Sequence, residues 1–544
     1  MPQPVTIRRW DRRAFLRGLV VAGAALVGAC AAPGASSGRP ASARGPRAGG
    51  ALTFATEAEI NSFDTRLGAW DSTGLLYAGT VYDPLFTQAS DGSVRPYLAH
   101  SITPNADYTQ WTLRLRPGIR FHDGSPLDAA TVKVNLDGSA RAPLTGPYLF
   151  NMNGTRVIDP LTLLVTMNTP WVPFPSYLTR QPGYMAALKQ LADTSGRARP
   201  IGTGPFIFKE WLPGEHFTAT RNPDYWRPGL PYLDAITYRP IVDPTSRGSS
   251  LLAGDVHLMH SSDTQSVADF AHRPGYSQVN DLTSVLGEPD QAFIMLNTAV
   301  PPLNDLRVRQ ALACATDRQR VIDTIYNGLT RPADGPFPAG SPYSGPTGYP
   351  GHDPARARAL VADYQREKGA APSFRFATVN TPKGRSRNEL LQAMWRAAGI
   401  QTDIVVVEQS PLILNAISGS FQACGWRQFN CPDPDANYVS WSGTTAAPVG
   451  RQALNFARNR DPQIDAALEA GRTQVDPQVR AAAYRLVAAR LGADVPYLWI
   501  APAAWIVAAH SRVGGLGRAT LPDGGLARGM ISGVIPIAEL FTEG

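Results

Sequence analysis

Several patterns are missing from this 544-residue chain. No apolar run is long enough to cross a bilayer as a helix, which takes ~20 residues. The uncharged stretch Gly18 to Ala29 is only about twelve residues long. From residue 51 onward there is no Gly-x-Ser-x-Gly, His-Glu-x-x-His or dinucleotide fingerprint, which argues against a secreted enzyme. None of the four cysteines stands at a zinc-ligand spacing. His257 and His260 are three apart, but nothing in sequence completes a metal set. No metal or cofactor is therefore expected, and no internal repeat is visible. What is present is a globular composition, 43% hydrophobic and 17% charged, with 50 Gly and 48 Pro that call for many turns and loops.

Charge is unevenly placed. The chain carries a formal +7, which taken whole suggests an anionic partner such as nucleic acid. Residues 1–50, however, hold eight Arg, no Lys or Glu, and one Asp, which accounts for the entire excess. The body from residue 51 is formally neutral, so no nucleic-acid partner is expected. Asp11-Arg12-Arg13-Ala14-Phe15-Leu16-Arg17, the uncharged stretch and then Cys30 read as an export signal over residues 1–29. The paired Arg before Phe15 resembles a twin-arginine signal, with a Sec signal carrying extra Arg as the alternative. Val27-Gly28-Ala29-Cys30 resembles a bacterial lipobox, which would make Cys30 a lipidated N-terminus and the only hold on a membrane. Residues 30–50, rich in Pro, Gly, Ser and Ala without apolar periodicity, are expected to be a flexible tether.

The body changes character along its length. Its first half is strand-rich. Ala51 to Ala55 is a buried-type strand, and residues 108–121 alternate apolar and polar up to a Pro117-Gly118 turn. Leu161 to Met167 is another strand, and 201–211 with 216–221 form a hairpin closed by Pro213-Gly214. The second half alternates. Asn304 is expected to cap a helix through Ile325, stopped near Gly328, and Asp353-Pro354 starts another. Strand 374–379, helix 388–398, strand 403–407, helix 411–418 and strand 421–426 then imply a parallel α/β sheet. Helices 462–471 and 477–491 precede an apolar strand at 497–500.

A chain of short motifs runs through both halves. Tyr82-Asp83-Pro84-Leu85-Phe86 and Tyr97-Leu98-Ala99 are followed by Trp111-Thr112-Leu113-Arg114-Leu115-Arg116-Pro117-Gly118 and Phe121-His122-Asp123-Gly124. Gly202-Thr203-Gly204-Pro205-Phe206, Arg221-Asn222-Pro223-Asp224-Tyr225-Trp226 and Pro302-Leu303-Asn304-Asp305-Leu306-Arg307 continue it, and Pro432-Asp433-Pro434-Asp435 closes it. In this order the chain resembles the extracytoplasmic solute-binding proteins of family 5, which serve ABC importers of peptides, nickel, opines and some sugars. The resemblance implies an α/β, two-lobed periplasmic-binding-protein type II fold with an extra domain in the first lobe. On that reading the first lobe is 51–290 with the extra domain at about 86–195, the second lobe is 291–510, and 511–544 returns to the first. It also implies a monomer that takes a small-molecule or short-peptide solute between closing lobes and hands it to ABC permease subunits.

Candidate ligand-binding residues follow from the same resemblance. In peptide-binding relatives an Asp three residues after the Trp corresponding to Trp426 pairs with the ligand's α-amino group. Here that position is Phe429 or, allowing one extra residue, Asn430, and neither can neutralise a buried ammonium. Asp433 or Asp435 could substitute, or could cap the next helix or a turn. Trp426, Tyr438 and Trp441 could stack on a solute or belong to the core. Glu57, Glu59, Asn61, Asp64, Trp70 and Asp71 lie where the family lines its cleft, and an acidic wall there would suit a cationic solute. Gly202-Thr203-Gly204-Pro205 is expected to make a tight turn between lobes. Cys314 is expected in the core, and Cys424 and Cys431, seven apart outside the cytoplasm, could form a disulfide.

Overall fold

The strand Ala51–Thr56 is buried along most of its length. It pairs in parallel with Ala235–Pro240 on one side and Leu258–Ser261 on the other. A parallel strand in the middle of a sheet is covered on both faces, which is why its sequence is almost continuously apolar. The computed structural model describes residues 45–193, 199–280, 290–427 and 432–543. The export-signal and lipidation expectations, Cys30 included, lie outside the described residues.

Ala51–Thr56 is the middle strand of a seven-stranded sheet in the order 276–280, 506–510, 258–261, 51–56, 235–240, 216–221 and 206–212. One face packs Leu52, Phe54, Tyr77, Phe217, Tyr238 and Trp505 into a core that Val513, Met530, Ile535 and Leu540 of the C-terminal segment complete. A second, four-stranded antiparallel sheet, in the order 99–104, 110–115, 162–167 and 152–159, carries the helix Ala129–Arg141 and a core of its own. The expected hairpin forms, with Leu212 opposite His216.

A five-stranded sheet in the order 401–407, 373–379, 423–427, 291–296 and 497–502 builds the second lobe. It is mixed rather than wholly parallel. Ser373–Val379 runs parallel to both its neighbours, but Gln291–Leu296 is antiparallel to Ala423–Arg427 and to Tyr497–Pro502. Gln291–Leu296 arrives from the first lobe instead of through a helical crossover, so the alternation of strands and helices did not reveal its direction. The helix expected from Asn304 to Ile325 is two helices, Leu306–Ala315 and Arg318–Ile325. Thr316 breaks it, bonding Leu312 O through its hydroxyl at 2.7 Å and receiving the Trp395 indole N–H at 3.0 Å. Asp317 then caps the second helix by accepting from the Arg320 amide. The helix expected at 388–398 starts at Pro382, capped by Thr381, because proline at the first turn loses no hydrogen bond.

Much of the motif string converges on one buried junction inside the first lobe. Asp83 accepts hydrogen bonds from Trp226 Nε1 (2.8 Å), Tyr225 Oη (3.1 Å) and Thr203 Oγ1 (3.2 Å). Gly202 and Gly204 lie against the Val81 backbone, where a Cβ on Gly202 would meet the Val81 carbonyl oxygen at 2.0 Å. The Gly202–Pro205 turn therefore belongs to the first lobe and does not lie between lobes. Burial pushes the Asp83 pKa up to about 6 against the pull of its three donors and Arg227. The folded state thus holds this proton more tightly than the unfolded chain, so Asp83 lowers stability as pH rises from about 4 to about 6 and adds no further slope above that. The step is on the order of 3 kcal/mol. Asp83→Asn is expected to flatten that part of the profile, read as urea midpoints between pH 4 and pH 7. An unchanged slope would show that Asp83 is already ionised at the low end.

Candidate functional site

The parallel strands Ser373–Val379, Gln401–Val407 and Ala423–Arg427 end on one edge of the second lobe. In open α/β sheets ligands bind beyond those carboxyl ends. The helix Pro382–Ala397 begins on the same edge and contributes Lys383 and Arg387, one turn apart. Side chains alternate along Ala423–Arg427. Cys424 and Trp426 pack with the core that holds Phe293 and Trp499. Gly425 and Arg427 take the opposite face, toward that helix. A Cβ on Gly425 would meet Arg387 Nη2 at 2.1 Å, so the Arg387 guanidinium would have to shift to admit one.

The first lobe faces this edge with Glu57 at the end of its central strand, with Ser262 and Asp263 after the strand Leu258–Ser261, and with Asp71, the N-cap of the helix Ser72–Val81. The lobes are in contact. Lys383 Nζ donates to Ser262 O at 3.4 Å and lies 4.0 Å from Asp263, and Asn327 Nδ2 donates to Gln265 Oε1 at 2.7 Å. The chain crosses between lobes at 502–506, where the Ala503 amide donates to Asp290 O at 2.8 Å. Trp505 sits at this crossing, stacked on His260 at 4.9 Å, and the Arg427 guanidinium lies over the Trp505 ring at 5.0 Å.

The cleft is electrically mixed. Desolvation raises the Glu57 pKa, but His260, the Ser262 amide, Arg247 and Arg427 together pull it below the ordinary value. Burial drives His260 down to about 4, so at neutral pH the imidazole is uncharged and the other three do this work. Asp71 is open to solvent, yet the protein crowded around it raises its pKa, with desolvation outweighing the Gly74 amide and the Arg427 charge. On the opposite wall desolvation lowers both Lys383 and Arg387.

The family model for bacterial extracellular solute-binding proteins, family 5, matches residues 93–449. The chain belongs to that family. Among curated family relatives, the glutathione-binding protein GsiB of Pectobacterium atrosepticum is 28% identical over 456 residues, covering 79% of this chain and 84% of the relative. The nickel-binding periplasmic protein of Escherichia coli is 28% identical over 464 residues, covering 80% and 86%. Among solved structures, NikA from Brucella suis in complex with Fe(III)-EDTA superposes with a TM-score of 0.77 at 26% identity, over 91% of this chain and 100% of that one. DppA from Helicobacter pylori in complex with the peptide STSA gives 0.78 at 23% identity, over 92% and 99%. The two-lobed α/β fold of the family 5 proteins is thus the fold of this chain.

Within this family 5 cleft the sequence-expected residues fall into separate places. Asp71 and Trp70 stand on the first-lobe wall. Trp70 stacks on Tyr82 at 6.0 Å and donates to Ser62 O, while Asp71 accepts from the Gly74 amide. Trp426 is half-buried, edge-on to Phe456 at 5.6 Å. Trp441 is buried in the second-lobe core beside Phe337. Asp433 caps a short turn through the Asp435 amide and pairs with Arg480 at 2.7 Å. Asp435 is fully buried and saturated by protein donors: Trp171 Nε1 (2.7 Å), Tyr177 Oη (2.9 Å) and Arg472 Nε (3.1 Å). Tyr438 lies flat beneath Arg472, 3.7 Å from its guanidinium carbon. Asp433, Asp435 and Tyr438 therefore meet at the contact between the four-stranded domain and the second lobe. Asn430, Phe429 and Cys431 lie outside the described residues. Cys424 carries a free, buried thiol whose pKa burial raises to about 12, and Cys314 is buried as well.

The expected acidic wall is thinner than the sequence suggested. Glu59 binds the Gly214 amide and Trp211 Nε1, Asp64 pairs with Arg66, and Asn61 accepts from the Ala69 amide. The cations opposite were missed. Arg427 directly follows Trp426, and Lys383 and Arg387 share the i, i+4 spacing that puts them on one helix face, but neither signal says which lobe that face looks toward.

Proposed function

We propose that this protein is the extracytoplasmic substrate-binding component of an ABC importer, closing its lobes on a peptide or peptide-like small solute and delivering it to the permease without catalysis. The observation that carries this reading is the inter-lobe cleft between the Arg427 and Asp71 walls, in a fold shared with family 5 proteins. The glutathione-, nickel- and peptide-binding functions named for the relatives supply the solute class. Ligand-facing residues on this reading are Trp70, Asp71, Trp426 and Asn430, with Asp433, Asp435, Tyr438 and Trp441 behind or beside the closing surface. We further propose a signal over 1–29, of twin-arginine or Sec type, lipidation at Cys30, a tether to residue 50, and a monomer. The lobes divide as 51–290 and 291–502, because Ile506–His510 pairs in the first-lobe sheet, so the return expected at 511 begins at the 502–506 crossing. A metal-chelate receptor is the second reading, favoured by the NikA likeness.

The test is native mass spectrometry of the purified protein, followed by thermal unfolding with the solute identified. Ligand at 100 times its Kd is expected to add ~2.7 kcal/mol of stability. Turnover of peptide or ester substrates, or a protein that retains no solute and gains no stability from di-, tri- or oligopeptides or nickel chelates, would overturn the reading.

A further inference from the structure

A cavity of about 640 Å³ opens on the first lobe, and its lining includes none of Glu57, Asp71, Lys383, Arg387 or Arg427. Its volume falls within the ~300–1,000 Å³ of small-molecule sites. Three stretches of chain far apart in sequence enclose it. They are the four-stranded domain at His100 and the Arg116 to Ile119 turn, residues 226–232, and the C-terminal segment at 520–522 and 539. Glu539 is the only carboxylate among the described lining residues, and it is already engaged. Its Oε1 accepts from the Thr520 amide and hydroxyl at 2.7 Å each and lies 3.4 Å from Arg227 Nη2. Arg227 is 11% exposed, and its Nη1 donates to Tyr97 Oη at 3.2 Å. Among the described residues no carboxylate pairs with Arg116. Its Nε donates to Tyr97 O at 2.7 Å, which fixes the guanidinium plane, while Nη1 and Nη2 bond no described residue. Trp226, on the same lining, is held from behind by its bond to the buried Asp83 at 2.8 Å.

We propose that this cavity is a second binding site, separate from the solute cleft, for a phosphate group carried on a small glycerol-like or apolar body. The site does not depend on the solute-binding reading. Arg227 offsets the charge of Glu539, so Arg116 is the cation left over, with the exposed His100 imidazole on the same lining. A guanidinium offers N–H pairs that match two oxygens of a phosphate, and such charge-assisted bonds are the strong ones. Tyr97 ties both guanidiniums, Arg116 through its carbonyl and Arg227 through its hydroxyl, so the donors are ordered before a ligand arrives. Pro117, Ile119, Leu230 and Leu521 give the cavity an apolar share for the body that bears the phosphate. The chain also enters the fold here. The Gly49 amide donates to Tyr232 O at 2.7 Å, and Tyr232 lines the cavity. A lipid at Cys30 would run its tether to this point. A membrane phospholipid headgroup is therefore one source of the phosphate, and a free phosphate ester is the other.

The purified full chain is titrated by calorimetry at low salt with inorganic phosphate, glycerol 3-phosphate, dihexanoyl phosphatidylglycerol below its micelle threshold, and glycerol as the neutral control. The proteins are wild type, Arg116→Gln, Arg116→Lys and His100→Glu, the last at an exposed position that leaves the Arg116 bond to Tyr97 intact. Hydrogen exchange locates the bound probe, and the unfolding midpoint of each unliganded variant is the folding control. At least one phosphate probe is expected to bind wild type where glycerol does not. It is expected to slow amide exchange at 226–232 and 520–522 and to leave 423–427 unchanged. Arg116→Gln is expected to weaken that probe by about tenfold or more, Arg116→Lys to keep part of the affinity, and His100→Glu to weaken it by a smaller factor. Phosphatidylglycerol binding at least about tenfold more tightly than glycerol 3-phosphate assigns the site to a lipid headgroup, and a smaller ratio assigns it to a soluble phosphate. No binding by any phosphate probe, protection confined to 423–427, or an affinity unmoved in folded Arg116→Gln would overturn the site and leave the importer reading standing. Should Arg116→Gln fail to fold, an affinity unmoved in His100→Glu would overturn it in the same way.

Discussion

Arg472→Met is expected to destabilise the protein by on the order of 3–5 kcal/mol. The pair it breaks is almost completely buried, with Arg472 2% and Asp435 0% exposed and Arg472 Nη2 3.0 Å from Asp435 Oδ1. Removing the guanidinium leaves a carboxylate in the interior with, among the described side chains, only the Trp171 and Tyr177 donors to answer its charge. It also removes the cation that lies over Tyr438 at 3.7 Å and Phe150 at 4.4 Å. Asp435→Asn leaves the opposite charge stranded and is expected to cost a similar amount. The double variant is expected to cost much less than the sum, because each single change is dominated by the partner left uncompensated. Urea unfolding of the four proteins measures the coupling, and full additivity would show that the two residues do not act as a unit. The pair lies wholly in the second lobe, whereas Trp171 and Tyr177 come from the four-stranded domain, and the Val172 amide donates to Arg472 O at 3.1 Å. These contacts exist only while the two bodies meet. Tyr177→Phe, which removes one donor to a buried carboxylate worth about 1.5–3 kcal/mol, is therefore expected to weaken solute binding by about tenfold or more and to lower the unfolding midpoint, though by less than Arg472→Met.

How much of this was readable in the sequence depends on whether the signal was local. Alternation and turn chemistry identified the hairpin at Pro213-Gly214 and the helices at 462 and 477, because period and capping residues are properties of a few neighbours. The motif string pointed to the right family, yet the role of its residues was hidden. Asp83, Thr203, Tyr225 and Trp226 form one hydrogen-bonded knot only after a chain separation of more than 100 residues is closed. Asp435 illustrates the same limit at the candidate site. As a sequence position it follows the Trp426 segment and suggests ligand contact, but Trp171 and Arg472, distant in both directions, had already taken its oxygens. Arg427 was passed over for the same reason. Its described surroundings, the Trp505 ring beneath it and Glu57 and Asp71 across the cleft, come from distant parts of the chain and can be recognised only when those residues have been placed. The three strands that alternate with helices are parallel as expected, but the antiparallel Gln291–Leu296 was not foreseen because it enters from the other lobe, which no local pattern encodes.

Trp505→Ala is expected to be the most damaging single change at the cleft floor, costing on the order of 3–5 kcal/mol and weakening solute binding in the same variant. Trp505 is fully buried where the chain passes from the second lobe back to the first. It packs so tightly under the C-terminal segment that a Cβ on Gly533 would come within 2.6 Å of Trp505 Cε3 and 2.4 Å of His260 Nε2. A void left there is hemmed in by both lobes and cannot collapse without moving the crossing strands, which places the cost at the upper end of the large-to-small range. The His260 ring, stacked at 4.9 Å on Trp505 and holding two buried nitrogens with no hydrogen-bond partner among the described residues, would gain access to water. Its pKa, held down at about 4 by burial, is then expected to rise toward the ordinary 6.5, which the ring-proton shifts in an NMR titration would follow directly. Arg427 loses the ring that its guanidinium lies over, so solute affinity should fall even at temperatures where the variant is still folded. Trp505→Phe keeps an aromatic face and is expected to restore most of the binding and part of the stability. A Trp505→Ala protein with an unmoved unfolding midpoint and an unmoved His260 titration would mean that the crossing is held by the paired strands alone and that the floor of the cleft is set elsewhere.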